Sequence, residues 1–129
     1  MAEQHLTKSE LAIMEVMWEQ EEALTASEII KASGDKEWKN SSIYLMVNAL
    51  LEKGFLEVAG FKKTTKNYAR TFKPTMTKEK YFVRKVMGNT PVAEKKKIYM
   101  QLLKEVDEIE TLDTIKEEIY ARKKELENR

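Results

Sequence analysis

Hydrophobic residues recur at helical spacing in three blocks before residue 54, each bounded by polar start or stop signals. Leu11, Ile13, Met14, Met17 and Trp18 form the first block and leave Glu15 and Glu19 for water. Thr7 precedes it and Glu10 stands three residues on, the spacing at which a hydroxyl and a carboxylate cap a helix reciprocally. Thr25 and Glu28 repeat that signal ahead of Ala26, Ile29 and Ile30, and Ser33-Gly34-Asp35 ends the second block. The third runs over Asn40–Lys53 after Trp38, with Ile43, Met46, Val47, Leu50 and Leu51 as its inward stripe. Gly54 follows it, where the chain past a helix end adopts a left-handed conformation that a side chain resists.

The period then changes. Phe55-Leu56-Glu57-Val58 and Tyr68-Ala69-Arg70-Thr71-Phe72 are rich in β-branched and aromatic residues, and they flank a polar, lysine-bearing tip at residues 60–67. This predicts a β-hairpin, closed by Pro74, which has no amide hydrogen to continue a ladder. Three helices followed by a basic hairpin describe a winged helix-turn-helix, a mainly α fold (α+β) whose usual task is to hold duplex DNA.

Helical spacing returns at residues 75–89, through Tyr81, Phe82, Val83, Val86 and Met87. Thr90-Pro91 reads as a cap followed by proline in the first turn of the next helix. That helix presents Ile98, Tyr99, Leu102, Leu103 and Val106, and a last one from about Asp113 presents Ile115, Ile119 and Leu126. Burying one such side chain is worth roughly 1.5–3 kcal/mol, so stripes of this length are expected to be covered. A second copy of the chain covers them most simply. The expected division is a DNA-binding domain at 1–75 and a helical dimerisation domain at 76–129.

Charge sharpens the picture more than bulk composition does. The 129 residues carry a net charge of only +1. Residues 1–58 hold five basic and eleven acidic side chains, whereas residues 59–87 hold nine basic ones against Glu79 alone. A concentrated positive stretch attracts phosphate even on a nearly neutral molecule. On the third helix the outward positions are Lys39, Asn40, Ser41, Tyr44, Leu45 and Asn48, with Ser42 beside Ser41 at its head. The second helix of such a pair enters the major groove, where Asn48 can pair with adenine and a serine can reach a phosphate or a base edge. Lys62, Lys63, Lys66 and Arg70 on the hairpin would lie along the flanking backbone or dip into the minor groove. The helix has no arginine for the common two-pronged contact with guanine.

Candidate chemistry removes other classes. Without cysteine there are no disulfides and no thiolate metal sites. His5 is the sole histidine, and four glycines form no phosphate-cradling loop. Ser41 and Ser42 have no base beside them and suit capping or phosphate contact instead. No catalytic residue, metal site or cofactor is expected. There is no apolar run of membrane-spanning length and no secretion signal at residues 1–5, so a cytoplasmic location is expected.

Residues 6–18 (LTKSELAIMEVMW), 38–43 (WKNSSI) and 50–56 (LLEKGFL), with Tyr68 on the second strand, resemble the penicillinase repressor family. The resemblance covers about residues 6–88, and the tail matches in layout. It implies a homodimeric transcriptional repressor seated on a dyad-symmetric operator, with Ser41, Ser42, Tyr44, Leu45 and Asn48 on the reading helix. Family members often carry Lys or Arg where this chain has Ser41, Tyr44 and Ala49, so an operator sequence does not transfer. The penicillin-responsive branch is switched off by cleavage at an Asn-Phe bond, and no Asn-Phe pair occurs here. The copper-responsive branch uses a cysteine cluster that this chain lacks. The expected partners are operator DNA, a second copy, and an unidentified inducer or regulatory protease. The alternative reading is a winged-helix protein-interaction module that touches no DNA.

Overall fold

A computed structural model describes residues 5–34 and 40–129, with Asn40 and Ser41 described by their backbone alone. The chain divides into two compact units, residues 1–84 and 85–129. In the first, α1 (Lys8–Glu19), α2 (Ala26–Ala32) and α3 (Asn40–Lys53) lead into strands β1 (Leu56–Lys63) and β2 (Tyr68–Pro74). Helix α4 (Lys78–Met87) follows, and the second unit continues with α5 (Val92–Glu105) and α6 (Ile109–Glu127).

Both expected caps form, and they decide where α1 and α2 begin. Glu10 donates its amide hydrogen to Thr7 Oγ1 at 3.1 Å, while Thr7 donates its own to Glu10 Oε1 at 2.9 Å. Thr25 and Glu28 repeat the exchange at 2.9 and 3.2 Å. Each cap satisfies two amide hydrogens that have no partner within the helix. The chain leaves α3 through Gly54 at φ +83°, where any side chain would be strained although nothing crowds the site. Phe55 is thereby turned inward, its amide bonded to the Leu50 carbonyl at 2.9 Å.

The strands pair antiparallel from Leu56 opposite Pro74 to Lys63 opposite Tyr68. One residue is extra: Val58 faces Phe72 and Gly60 faces Thr71, so Ala59 bulges. Leu24, just ahead of α2, exchanges backbone hydrogen bonds with Phe72 at 3.0 and 2.8 Å. That bridge ties the root of the hairpin to the start of α2.

The core of this unit is assembled from the stripes read in the sequence. Ile13, Met14 and Met17 of α1, Ile29 of α2, and Ile43, Val47 and Leu50 of α3 are almost wholly sealed from solvent. Phe55, Leu56 and Phe72 close it from the hairpin side, and Tyr81 from α4. Trp18, expected in the core, is half-buried at its edge. Its ring lies 5.5 Å from that of Tyr81, and its indole N–H donates to the Met76 carbonyl at 3.0 Å. A ring with a polar tip is held at a boundary for that reason.

In the second unit, neither α5 nor α6 has a buried residue. Two expected starts move. Pro91 itself takes the extended cap position of α5 at φ −59° and ψ 149°, and Thr90 directs its hydroxyl back to the Val86 carbonyl. Helix α6 begins at Ile109 rather than near Asp113. Glu108 and Glu110 place negative charge on its first turn, which the helix dipole favours, and hydroxyl-type capping is not needed.

Candidate nucleic-acid interface

The burial of Ile43, Val47 and Leu50 fixes which side of α3 faces water. Positions one and two residues away from that stripe must turn outward, and Tyr44, Leu45 and Asn48 do so. Leu45 is 72% exposed and Tyr44 55%. Ser42 is half-buried at the helix start. Lys39 and the side chains of Asn40 and Ser41 lie outside the described residues.

On the hairpin, Lys62, Lys63, Lys66 and Arg70 are all exposed. Arg70 holds its guanidinium 5.3 Å from the centre of the Phe72 ring, an attraction that keeps it near the hairpin root. Thr64 and Asn67 close the tip, with the Thr64 amide bonded to the Asn67 carbonyl at 2.6 Å. Strand alternation and register put Phe61, Lys63, Tyr68 and Arg70 on one face, and Lys62 with Ala69 on the other. Phe61 and Tyr68 are 70% and 69% exposed. The sequence places Tyr68 on the second strand and Phe61 in the polar tip, with no contact role for either. Their alternation with Lys63 and Arg70 was the available signal.

Helix and hairpin meet around a cleft of about 140 Å³, which Thr25 and Ser27 of the α2 start, Tyr44 and Asn48 of α3, and Arg70 of β2 help to line. Three of the expected contact residues thus converge on one feature. Lys62 is engaged differently. Its ammonium lies 2.6 Å from Glu28 Oε2, on the helix that Glu28 also caps. The hydrogen bond and charge of Glu28 raise the lysine's pKa, with Glu22 adding to the effect. The same bond with Lys62, then the bond from the Thr25 backbone, hold Glu28 below the usual carboxylate range.

Of the expected dimerisation residues, all but Val106 lie on α5 and α6, and Val106 takes an extended position just past the end of α5. Tyr99, Leu102, Ile119 and Leu126 are exposed, and Ile98, Leu103, Val106 and Ile115 half-buried. Ile109 and Leu112 extend the α6 stripe by a turn, giving apolar positions at 109, 112, 115, 119 and 126. Ile109 is 79% exposed. Among the described residues no cluster of His, Asp or Glu is arranged to hold a metal ion, and no helix is long and apolar enough to cross a membrane.

Three helices closed by a two-stranded hairpin, the third helix turning Tyr44, Leu45 and Asn48 outward, define a winged helix-turn-helix. The chain belongs to the penicillinase repressor family, whose model matches residues 6–118. That family consists of transcriptional repressors, which regulate rather than catalyse. No curated protein matches the chain.

Proposed function

We propose that the protein is a homodimeric repressor that grips a dyad-symmetric operator in double-stranded DNA, in the cytoplasm. The observation that carries this is the meeting of the α3 outer face and the hairpin at one cleft, with Tyr44, Asn48 and Arg70 around it. Helix α3 enters the major groove, where Asn48 offers the donor and acceptor that adenine requires and Tyr44 or Leu45 meets a thymine methyl. Ser42 reaches a phosphate beside the helix start, joined in this reading by Lys39, Asn40 and Ser41. Lys63, Lys66 and Arg70 neutralise flanking phosphates, and Phe61 and Tyr68 pack against sugars between them. The apolar stripes of α5 and α6, in which no residue is fully buried, pair with those of a second copy. A two-fold dimer then presents two reading helices to two half-sites.

Binding to duplexes selected by the protein from a random pool tests this reading. Each of Lys63→Ala and Lys66→Ala is expected to reduce the slope of log affinity against log salt by about 1.8, because each removes two phosphate contacts from the dimer. Phe61→Ala is expected to weaken binding with the slope unchanged. Failure to retain any duplex at low salt would overturn the reading and favour a protein-interaction module.

Sequence preference is a separate outcome. Asn48→Ala is expected to cost about 1–3 kcal/mol on the selected duplex and little on a mixed-sequence one. Tyr44→Ala behaves alike at its own base step. Equal losses on both duplexes would remove base reading from α3.

A further inference from the structure

Lys62 stands apart from the other hairpin cations. It occupies the face of the hairpin opposite Phe61, Lys63, Tyr68 and Arg70. Its ammonium is bonded to Glu28 of α2 at 2.6 Å, and Glu22 also acts on it. A phosphate approaching that ammonium would meet the field of two carboxylates. The partner carboxylate is not free to swing away, because its other oxygen accepts the Thr25 amide hydrogen at 2.9 Å. At the root of the hairpin the Leu24–Phe72 bridge makes a second attachment to the same region. Two attachments, one at the root and one six residues up β1 from Leu56, fix the angle of the hairpin as one alone does not.

Resting on the DNA-binding reading above, we propose that Lys62 is a positioning residue, a latch that holds the wing at a set distance from the reading helix and touches no phosphate. The acidic start of α2 is then the seat of the wing, and this explains why carboxylates stand so near a surface meant for DNA. Glutamine suits the capping position as glutamate does, so Glu28→Gln keeps the cap and removes only the charge that holds Lys62. The substitution also takes a negative charge away from DNA, which by electrostatics alone would tighten binding. A latch makes the opposite prediction.

The test uses the full chain and a duplex it selects from a random pool. Lys62→Met and Glu28→Gln are each expected to weaken binding roughly two- to fivefold, the scale of an exposed ion pair, with the salt slope unchanged. The double variant should be no weaker than either single one, and Lys62→Arg should restore wild-type binding. Hydrogen exchange of the hairpin amides without DNA should quicken equally in Lys62→Met and Glu28→Gln. A drop in salt slope of about 1.8 for Lys62→Met (two copies per dimer), or tighter binding by Glu28→Gln, makes Lys62 a phosphate contact and overturns the latch. Unchanged hydrogen exchange in both variants overturns it as well. If the wild-type chain holds no duplex, the DNA reading falls, and exchange alone then decides whether the latch exists.

Discussion

Replacing Ile115 and Ile119 together with aspartate is expected to convert the proposed dimer to a monomer. Both lie on the apolar stripe of α6, a 19-residue helix without a buried residue. In a two-fold dimer each substitution occurs twice, so four apolar side chains leave the interface. Both are already about half covered within the single chain, so each loses roughly half of the 1.5–3 kcal/mol of a fully exposed side chain, about 3–6 kcal/mol in all, before the cost of bringing charge to the seam. Since about 1.4 kcal/mol is a factor of ten, association weakens by at least about two powers of ten. Sedimentation equilibrium at micromolar protein would show the mass halved. The variant should keep its helical content, because neither side chain belongs to the core of the first unit. It should also lose most operator affinity, since a lone reading helix engages one half-site. An unchanged dimer mass would remove α6 from the interface.

The helices of the first unit were legible because their signals are local. Thr7 with Glu10 and Thr25 with Glu28 announce starts within four residues, and Gly54 announces an end at the next position. The buried stripes of α1 and α3 follow from spacing alone. What escaped the sequence depends on residues far apart in the chain. The Leu24–Phe72 bridge joins positions 48 apart, and neither carries a mark of its partner. The bulge at Ala59 changes which side chains share a face of the hairpin. That change puts Lys62 on the α2 side, whereas a bare count of lysines made it equal to Lys63 and Lys66. Ile109 and Leu112 were passed over for a simpler reason. A start near Asp113 cuts off the first turn of α6, which opens at Ile109 with no side-chain cap to mark it. For the candidate interface, spacing picked out the outward positions of α3, but their convergence with Arg70 needed the packing of three elements.

Substitution of Glu10, a buried charged residue, is expected to have the largest effect on stability of any change to an ion-paired side chain. Its side chain is only 6% exposed and serves two elements at once. One oxygen accepts the Thr7 amide hydrogen and caps α1, and the same oxygen receives Lys53 Nζ at 2.6 Å from the end of α3. Lys53 also donates to the His5 carbonyl at 3.0 Å, so three segments are joined. Burial pushes the Glu10 pKa up, but the Lys53 hydrogen bond, the Thr7 backbone bond and the lysine's charge together outweigh it, and the net shift is downward. A carboxylate depressed in the folded state stabilises fully above its ordinary value of 4.5, and that contribution disappears as pH falls through the lower folded value. Glu10→Gln keeps the capping hydrogen bond and loses the ion pair. Its expected cost at pH 7 is roughly 1.5–3 kcal/mol, the range for hydrogen bonds to charged groups. This lies below the roughly 3–5 kcal/mol of a fully buried pair because Lys53 is a quarter exposed. Glu10→Ala should lose about 1 kcal/mol more, the worth of the cap. Urea unfolding at pH 7 and pH 4 separates the two contributions. The gap between wild type and Glu10→Gln should narrow at the lower pH, while the gap between Glu10→Gln and Glu10→Ala should not. A gap to Glu10→Gln that stays constant between the two pH values would mean that the Lys53 pair contributes nothing to the fold.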